Sequence, residues 1–401
     1  MKLACVIHRY GAGIAGGSEG HCRAIAERLA VRHDVTVLTS CAADHMTWRN
    51  ELPEGTSHEG GVRVVRFPTA RQRSLGRFAE ISAILFGGDA SAAEQEDWFR
   101  ANGPETPGLL EHLSSQGRDY DLVLFWAFRY APTFFGVPIV ADRAVLVPTA
   151  EDDPLIRSSA LEPFFARPAG LVFLTPEEQA LVELHARVSR PSCTIGSGLD
   201  PVPLTRDAAA DAGVLAGINV IRPFVLYLGR IDPNKGCETL LREYLDARVR
   251  ERAGGWPPLV MAGPANMPIP SHPSIVTPGR VSDRQREALL AQASVLVVPS
   301  PFESLSLVLL EAWNHATPAL VNGQCRVLEG QARRANGALV YRGGELFTRA
   351  LAYLLDHPDT AAQLGRQGRA YVDREYRWPT VMDRLGAFLE DVAASRTARV
   401  G

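Results

Sequence analysis

Short apolar runs recur along the chain, separated by polar segments rich in glycine. Residues 3–7 form the first predicted buried strand and residues 11–17 a glycine-rich loop. Apolar residues then follow at helical spacing to residue 30, with Ser18 as the predicted helix cap. Strand, loop and helix lead into another strand, which predicts a parallel sheet. The following strands are predicted at 35–38, 62–67, 122–126, 144–147 and 171–174.

The pattern restarts near residue 200. Residues 200–217 have the composition of a linker, and residues 224–228 form a strand followed by a loop and a helix from Cys237 to Tyr244. The pattern predicts an α/β protein with Rossmann-like βαβ domains at 1–200 and 201–375, and a helical segment at 376–401 that could pack back on the first domain. Further strands are predicted at 258–262, 274–276, 295–298 and 319–321.

Composition narrows the class of protein. A chain of 401 residues exceeds what one hydrophobic core usually serves, which agrees with two domains. The net charge of −3 argues against a nucleic-acid-binding protein. Six scattered cysteines without a Cys-x-x-Cys pair indicate a reduced cytoplasm, and no apolar run approaches the ~20 residues that span a bilayer.

Ligands of open parallel sheets bind beyond the carboxyl ends of the strands. We therefore expect two sheets that face each other across a cleft, which could hold the two substrates of a transferase.

The loop at 229–236 has the features of an anion site. It follows a strand and opens a helix, so its glycines and the helix N-terminus favour a bound anion. Arg230 and Lys235 add two cationic side chains, as a leaving diphosphate requires. The alternative is a tight turn with two solvated charges.

A second constellation follows the strand at 295–298. Glu303 is predicted in the loop and Glu311 about two turns into the next helix, roughly 12 Å away if the segment is fully helical. That separation suits carboxylates that bind opposite ends of a sugar nucleotide, with the N–H groups of residues 304–306 donating between them. The alternative is a capping carboxylate and a solvated one.

These motifs resemble glycosyltransferase family 4, whose members share the GT-B fold of two Rossmann-like domains. The resemblance rests on Gly229-Arg230 with Lys235-Gly236 and on Glu303 and Glu311 separated by seven residues. It also includes three shorter motifs, at residues 16–19, 198–200 and 279–282.

The resemblance implies a role for each site residue. Arg230 and Lys235 would contact the diphosphate, Glu303 the donor sugar and Glu311 the ribose, while a loop formed by Gly16 and Gly17 would close on the donor. Family members are retaining enzymes that use no metal or other cofactor, and the departing phosphate is thought to deprotonate the acceptor. The remaining predicted donor-binding residues are Gly229, Gly263, Arg280, Val281, Ser304, Leu305 and Ser306.

The sequence departs from the family pattern at several positions. Ser304 and Ser306 replace frequent glycines, and Val308 replaces a frequent proline. Glu151 stands where relatives often have a histidine near the reacting sugar. We expect a buried carboxyl there to have a raised pKa and to hydrogen-bond as an acid. The alternative is a solvated acidic turn at 151–153.

Three other features receive structural interpretations. Asp119 and Asp121 match an Asp-x-Asp metal motif but directly precede a strand, so a turn is favoured. His8 and His21 bracket the glycine loop, where a lone histidine is usually just hydrogen-bonded. The arginines before the apolar run at 81–86 could meet an anionic membrane, although a solvated helix face is favoured; they are Arg66, Arg71, Arg73 and Arg77.

The leading hypothesis is a retaining hexosyltransferase that uses a UDP- or GDP-sugar and a glycan, lipid-linked or natural-product acceptor, in the cytoplasm or at the inner face of the membrane. The first alternative is an NAD-dependent oxidoreductase, because residues 11–16 fit Gly-x-Gly-x-x-Gly; the acidic residue expected after the second strand is missing. The second alternative is a glycosyltransferase-like subunit that binds without turnover.

Overall fold

The structure is a computed structural model that describes residues 1–14, 16–88, 90–203, 207–248, 252 and 255–400. Of residues 397–400 it describes the backbone only. The chain divides into two compact units. The N-terminal unit comprises Met1–Ser197 and the chain from Val381 onward, and the C-terminal unit comprises Gly198–Thr380. The units therefore change at 197/198 and 380/381, close to the boundaries of 200 and 375 expected from the sequence.

In the part of the chain that the structure describes, the N-terminal unit contains an eight-stranded sheet of order β3-β4-β2-β1-β5-β6-β7-β8. Only the β3–β4 pair is antiparallel. The central strands consist almost entirely of buried apolar residues because helices cover both faces of a parallel sheet. The strands are β1 (Lys2–Val6), β2 (Asp34–Ser40), β3 (Gly55–Glu59), β4 (Val62–Phe67), β5 (Leu122–Trp126), β6 (Ala144–Val147), β7 (Gly170–Phe173) and β8 (Ser192–Thr194).

Helix α1 of this unit does not begin as the sequence predicted. Gly16, which has no side chain, occupies the N-cap position, and the Ser18 hydroxyl donates to Glu19 Oε2 instead (2.8 Å). The cap prediction for Ser18 was wrong because the helix starts two residues earlier than a Ser18 cap requires. The helices are α1 (Gly17–Leu29), α2 (Leu75–Gly87), α3 (Ala92–Asn102), α4 (Pro107–Gln116), α5 (Ala131–Gly136), α6 (Leu161–Phe165) and α7 (Pro176–His185).

The C-terminal unit contains, within the described ranges, a six-stranded sheet of order β11-β10-β9-β12-β13-β14 with every pair parallel. The strand order reverses between β9 and β12, and open α/β sheets bind ligands at such a reversal. The strands are β9 (Val225–Leu228), β10 (Leu259–Ala262), β11 (Ile275–Gly279), β12 (Val295–Val298), β13 (Ala319–Asn322) and β14 (Ala338–Tyr341).

Part of the predicted linker at 200–217 is a helix. Asp207 caps α8 (Ala208–Ala216) by accepting from the N–H groups of Ala209 and Ala210. Asp211 accepts a hydrogen bond from Gln292 (3.0 Å), which attaches the helix to this unit. The other helices are α9 (Cys237–Arg248), α10 (Asp283–Gln292), α11 (Leu307–Asn314), α12 (Arg326–Ala335), α13 (Gly344–Asp356) and α14 (Pro358–Glu375).

Helix α15 (Trp378–Val400) ends the described chain. From Val381 onward it buries an apolar face spaced three or four residues apart, including Leu385 and Val392. Phe388 and Val392 pack so closely on Gly170 of β7 that a Cβ there would lie 2.8 Å from the Phe388 ring. This contact accounts for the glycine at the start of β7.

Candidate functional site

Two loops at the carboxyl ends of β9 and β12 flank the strand-order reversal of the C-terminal unit. Gly236 has φ 74°, and a Cβ there would lie 2.4 Å from the carbonyl oxygen of Pro299. The same carbonyl accepts a hydrogen bond from Asn322 at the end of β13 (3.0 Å). The two loops are therefore held backbone against backbone, and glycine is required at the contact.

Lys235 and Glu303 meet across this contact. Lys235 Nζ lies 3.0 Å from Glu303 Oε1, with the side chains 29% and 13% exposed. The sequence placed both residues in one site, and the structure brings them together as an ion pair. A partly exposed cation held beside a carboxylate can bind an anionic group and a hydroxyl group side by side.

Arg230 lies at the start of the same loop, and its backbone is fixed by groups that the sequence analysis missed. The Tyr227 hydroxyl donates to the Arg230 carbonyl, and burial raises the pKa of Tyr227. The Arg230 side chain is 41% exposed, and its Nε lies 3.3 Å from Asp232 Oδ2. Asp232 in turn accepts from the Asn234 N–H (2.9 Å), which orders the turn before Lys235.

Gly229 and Gly263 bring the loops after β9 and β10 into contact. Gly263 has φ 144°, and a Cβ there would lie 1.9 Å from the Gly229 carbonyl oxygen. The Gly263 N–H donates to Gly279 at the end of β11 (2.8 Å), and the Ile231 N–H donates to Pro264 (2.9 Å). Both predicted glycines thus have a structural reason, which is the close approach of three loops.

Glu311 lies on α11, five residues into the helix and so little more than one turn from its start. The prediction of two turns was wrong because α11 begins only at Leu307, and the 12 Å helical separation from Glu303 therefore does not apply. Arg286 of α10 forms an ion pair with Glu311. Burial raises the pKa of Glu311, while the contact with Arg286 lowers it, and the net shift is upward.

Arg286 was absent from the predicted site. The capping box formed by Ser282 and Gln285 places it in the first turns of α10. Arg280 and Val281 lie just before this cap, at the carboxyl end of β11, with Arg280 exposed and Val281 half-buried. The capping motif predicts where α10 begins, but the pairing of Arg286 with Glu311 depends on the order of the strands and has no local sequence signal.

The segment 304–306 is less open than expected. The Ser306 N–H donates to Gln331 Oε1 (3.2 Å), so this group does not face a ligand as predicted. Leu305 is buried, whereas Ser304 is half-buried. Gln331 lies on α12 and is itself fully buried, which explains why the sequence gave no indication of the contact.

Gly16 and Gly17 lie at the start of α1 beside a buried carboxylate. A Cβ on Gly16 would lie 2.1 Å from Glu19 Oε2, and Glu19 Oε1 contacts His8 Nε2 (3.0 Å) and Arg9. Burial acts to raise the pKa of Glu19, but its contacts with His8 and Arg9 lower it overall. Closure of this loop on a donor stays a prediction.

An aromatic stack extends the same cluster. The His8 ring stacks on Tyr130 with 3.6 Å between centroids, and Trp48 packs edge-on against both rings. His8 follows β1 and Tyr130 follows β5, the two strands at which the order of the N-terminal sheet reverses. Burial lowers the pKa of His8 despite the neighbouring Glu19.

Glu151 follows Ala150, a loop residue whose N–H group is hydrogen-bonded to the Glu178 carboxyl. The buried Glu178 carboxyl accepts from the N–H groups of Ala150 and Leu174, both at 2.6 Å, and burial raises the pKa of Glu178 to about 8. Glu151 itself is half-buried. Its charge and that of Asp153 favour the protonated form of Arg129, whose pKa is raised even though burial acts to lower it.

The alternative interpretation, a solvated acidic turn at 151–153, describes one of the two acidic residues that follow Glu151. Asp152 is exposed and pairs with Arg157 (2.9 Å). Asp153 pairs with Arg129 and caps the turn at Pro154–Arg157. The acidic segment is therefore structural at Asp152 and Asp153, and the role of Glu151 toward a sugar stays a prediction.

His21 and Asp121 both make hydrogen bonds within the N-terminal unit. His21 is buried; its Nε2 donates to the Gly196 carbonyl (2.9 Å) and its Nδ1 accepts from Trp126 (3.0 Å). Burial lowers the pKa of His21 to about 4. Asp121 accepts from the Lys2 N–H (2.7 Å), which agrees with its structural interpretation. No group of three potential metal ligands occurs among the residues that the structure describes.

The arginines before residue 81 do not form one helix face. Arg66 is buried in β4, where it contacts Glu59 and donates to the Tyr10 carbonyl (3.1 Å). Of these four arginines only Arg77 lies on α2, so neither the favoured solvated helix face nor the alternative of a basic amphipathic helix describes the four residues together. Of the helices that the structure describes, none combines the length and apolar character needed to cross a membrane.

Comparisons with known proteins relate the chain to glycosyltransferases. The family model described as Glycosyl transferases group 1 matches residues 222–357, which include Arg230, Lys235, Glu303 and Glu311. A GDP-mannose-dependent alpha-(1-6)-phosphatidylinositol monomannoside mannosyltransferase of Mycobacterium tuberculosis (strain CDC 1551 / Oshkosh) is 28% identical over 44% of this chain and 49% of its own length. The chain thus spans about half the length of this relative.

Two further comparisons extend over almost the whole chain. The D-inositol 3-phosphate glycosyltransferase of Acidothermus cellulolyticus is 26% identical over 97% of this chain and 88% of its own length. The solved structure of sucrose-phosphate synthase from Thermosynechococcus elongatus superposes with a TM-score of 0.70 at 16% identity, covering 98% and 100% of the two chains. The protein therefore has a GT-B-like fold of two α/β units with mostly parallel sheets, as the sequence predicted.

Proposed function

We propose that the protein is a retaining glycosyltransferase of family 4 that transfers a hexose from a UDP- or GDP-sugar to a glycan, lipid-linked or natural-product acceptor. The observation that carries the proposal is the Lys235–Glu303 ion pair between the loops after β9 and β12, with Arg230 on the first of these loops and Glu311 on the helix that follows the second. All four residues lie within the matched family region, and a relative of this region is named as GDP-mannose-dependent.

Each side chain has a role that its environment supports. Lys235 and the exposed Arg230 stabilise the negative charge that develops on the diphosphate as the glycosidic C–O bond breaks. The guanidinium group of Arg230 and the ammonium group of Lys235 supply positive charge there, so the proposal includes no metal ion. Glu303, held by Lys235, accepts hydrogen bonds from donor-sugar hydroxyls, and Glu311, held by Arg286, accepts from the ribose hydroxyls.

The proposed chemistry needs no protein nucleophile. The acceptor oxygen attacks the anomeric carbon on the face from which the diphosphate departs, and its proton passes to the departing phosphate oxygen. We propose that Glu151, whose charge interacts with that of Arg129, hydrogen-bonds to the donor sugar. The reaction takes place in the cytoplasm, at the inner face of the membrane when the acceptor is lipid-linked.

A ligand screen followed by a turnover assay tests the proposal. A cognate nucleotide sugar at ~100 times its Kd adds ~2.7 kcal/mol to the free energy of unfolding, so UDP-, GDP-, ADP- and dTDP-sugars are compared by thermal shift. Products are then analysed by NMR for anomeric configuration, with and without EDTA. Stabilisation by one class of nucleotide sugar, together with a product that keeps the anomeric configuration of the donor, supports the proposal. Absence of nucleotide-sugar binding, binding without turnover, an inverted anomer, or turnover abolished by EDTA contradicts it.

A further inference from the structure

A concave site in the N-terminal unit is lined by an excess of positive charge. A cavity of about 280 Å³ lies against Trp48 and four arginines, namely Arg71, Arg73, Arg77 and Arg100. Only two carboxylates, Asp97 and Glu105, belong to the described lining. The volume is near the lower end of the range for small-molecule pockets, which suits one phosphorylated sugar or polyol.

The four guanidinium groups differ in how firmly they are already bound. Arg71 makes a two-point contact with Glu105, with both N–O distances at 2.9 Å. Arg77 lies 3.8 Å from Asp97 and 3.9 Å from Glu80, and Arg100 lies 3.9 Å from Glu96. The Arg100 guanidinium also stacks over the Phe135 ring, 4.4 Å from its centroid. The three ion-pair separations exceed hydrogen-bond length, so the N–H groups of Arg77 and Arg100 can bind another anion at little cost.

Arg73 forms the fixed wall of the cavity. Its guanidinium lies 3.9 Å from the Phe78 ring centroid and donates to the His45 carbonyl (3.1 Å) and to Asn102. Its Nε is buried and has no hydrogen-bond partner among the described residues. Burial lowers the pKa of Arg73, since a charge held away from water without a full set of partners is costly. The negative charge of an anion in the cavity would offset this cost by attracting the guanidinium.

The cavity also lies where a substrate would be expected. Residues 71–74 follow β4, and Ser74 caps the N-terminus of α2, a helix end that favours anions. Trp48 follows β2 and connects the cavity wall to the His8–Tyr130 stack at the strand reversal of the same sheet.

From this arrangement we infer that the cavity binds a phosphate group carried by the acceptor. This inference rests on the proposed glycosyltransferase function and names the chemical class of its second substrate. The phosphate belongs either to a soluble sugar or polyol phosphate or to the headgroup of a lipid. Exposed apolar residues on α2, Ile84 and Phe86, lie on the helix that the cavity adjoins.

The first experiment measures ligand binding by the full chain. Glucose 6-phosphate is compared with glucose by titration calorimetry at low and high salt, and we expect detectable, salt-sensitive binding of the phosphate alone. The variant Arg77→Gln/Arg100→Gln should weaken this binding at least 10-fold. Arg349→Gln, an exposed arginine on α13 of the other unit, is the matched control and should not change it.

A vesicle arm identifies the source of the phosphate. Vesicles of phosphatidylcholine with phosphatidic acid are compared with pure phosphatidylcholine in a flotation assay. Binding of glucose 6-phosphate supports a soluble acceptor, and binding only of acidic vesicles that is lost in the double variant supports a lipid one. Binding of neither, or binding that the double variant leaves unchanged, overturns the inference. Nucleotide-sugar binding by the unaltered protein is measured in parallel. Absence of that binding would contradict the proposed function, whatever the result for the phosphate ligands.

Discussion

Lys235 Nζ and Glu303 Oε1 lie 3.0 Å apart although 68 positions separate the two residues in the sequence. The chain has only two lysines, Lys2 and Lys235, among 42 cationic side chains. A lysine presents a compact charge with freely rotating donors, whereas an arginine presents a planar fork. The pair therefore points to a site where one donor group has to serve both a carboxylate and an arriving anion.

Replacing Lys235 should abolish most of the turnover. In Lys235→Ala, the diphosphate loses a charge-assisted contact that forms as charge develops, so we expect kcat to fall about 100-fold or more with the fold retained. Arg349→Ala removes one exposed cation from an i,i+4 pair on α13 and should leave kcat unchanged. Near-normal kcat in Lys235→Ala would contradict the assigned role.

Glu311 should recognise the ribose of the donor. We expect the unaltered protein to bind a ribonucleoside diphosphate about 10-fold more tightly than its 2′-deoxy or 3′-deoxy analogue, because each loses a hydrogen bond to a charged group. In Glu311→Ala this preference should disappear. Calorimetric titration of both ligand types checks the prediction, with Glu345→Ala as an exposed control on α13. A preference that survives in Glu311→Ala would remove the residue from the ribose site.

Gly263→Ala should destabilise the C-terminal unit. The added Cβ would overlap the Gly229 carbonyl at 1.9 Å, and φ 144° is unfavourable for alanine, so we expect a loss of about 3 kcal/mol in the free energy of unfolding. Gly213→Ala, on α8 with nothing within 4 Å of the new Cβ, should instead gain about 0.5–1 kcal/mol. Chemical denaturation of both variants checks the pair. Equal stability of the two variants would contradict a close contact between the loops that contain Gly229 and Gly263.

Strands made of uninterrupted apolar residues were predicted most accurately. The strands at 122–126, 144–147 and 295–298 have the predicted bounds because a parallel strand covered on both faces needs no polar alternation. Helix starts were less predictable, as Ser18 shows, because a glycine N-cap leaves no side-chain signature. The helix inside the predicted linker was missed because its alanines have no strong amphipathic pattern.

The neighbourhood of the candidate site residues was predictable where one loop carries the whole motif, as at Arg230 and Lys235. Arg286 and Gln331 were missed because each acts through a contact between elements that are distant in the sequence. Such contacts depend on the sheet order, which the local pattern does not specify.

His21 should make the protein sensitive to mild acid. The pKa of His21 falls from 6.5 to about 4 on burial, so the unfolded chain binds more protons between these values and the native state loses stability as the pH falls from 6.5 toward 4. The full effect is about 3 kcal/mol. Urea denaturation at several pH values should show a shallower acid loss in His21→Gln than in the unaltered protein, and His272→Asn should keep the original slope.

An NMR titration keeps this prediction testable if His21→Gln does not fold. The imidazole of His21 in the unaltered protein should show no protonation between pH 8 and about pH 5. A midpoint near 6.5 would contradict a buried, neutral ring that donates to Gly196 and accepts from Trp126.

The glycine contacts at Gly236 and Gly263 restrict how the donor preference of this protein could be altered. The backbone from Gly229 to Gly236 is confined on one side by the loop after β10 and on the other by Pro299, so a transplanted loop of different length or twist would have no room. Engineering for another nucleotide sugar should therefore keep this backbone and vary half-exposed side chains such as Ser304 and Val281. A library confined to those positions should yield more folded variants than one that exchanges the loop.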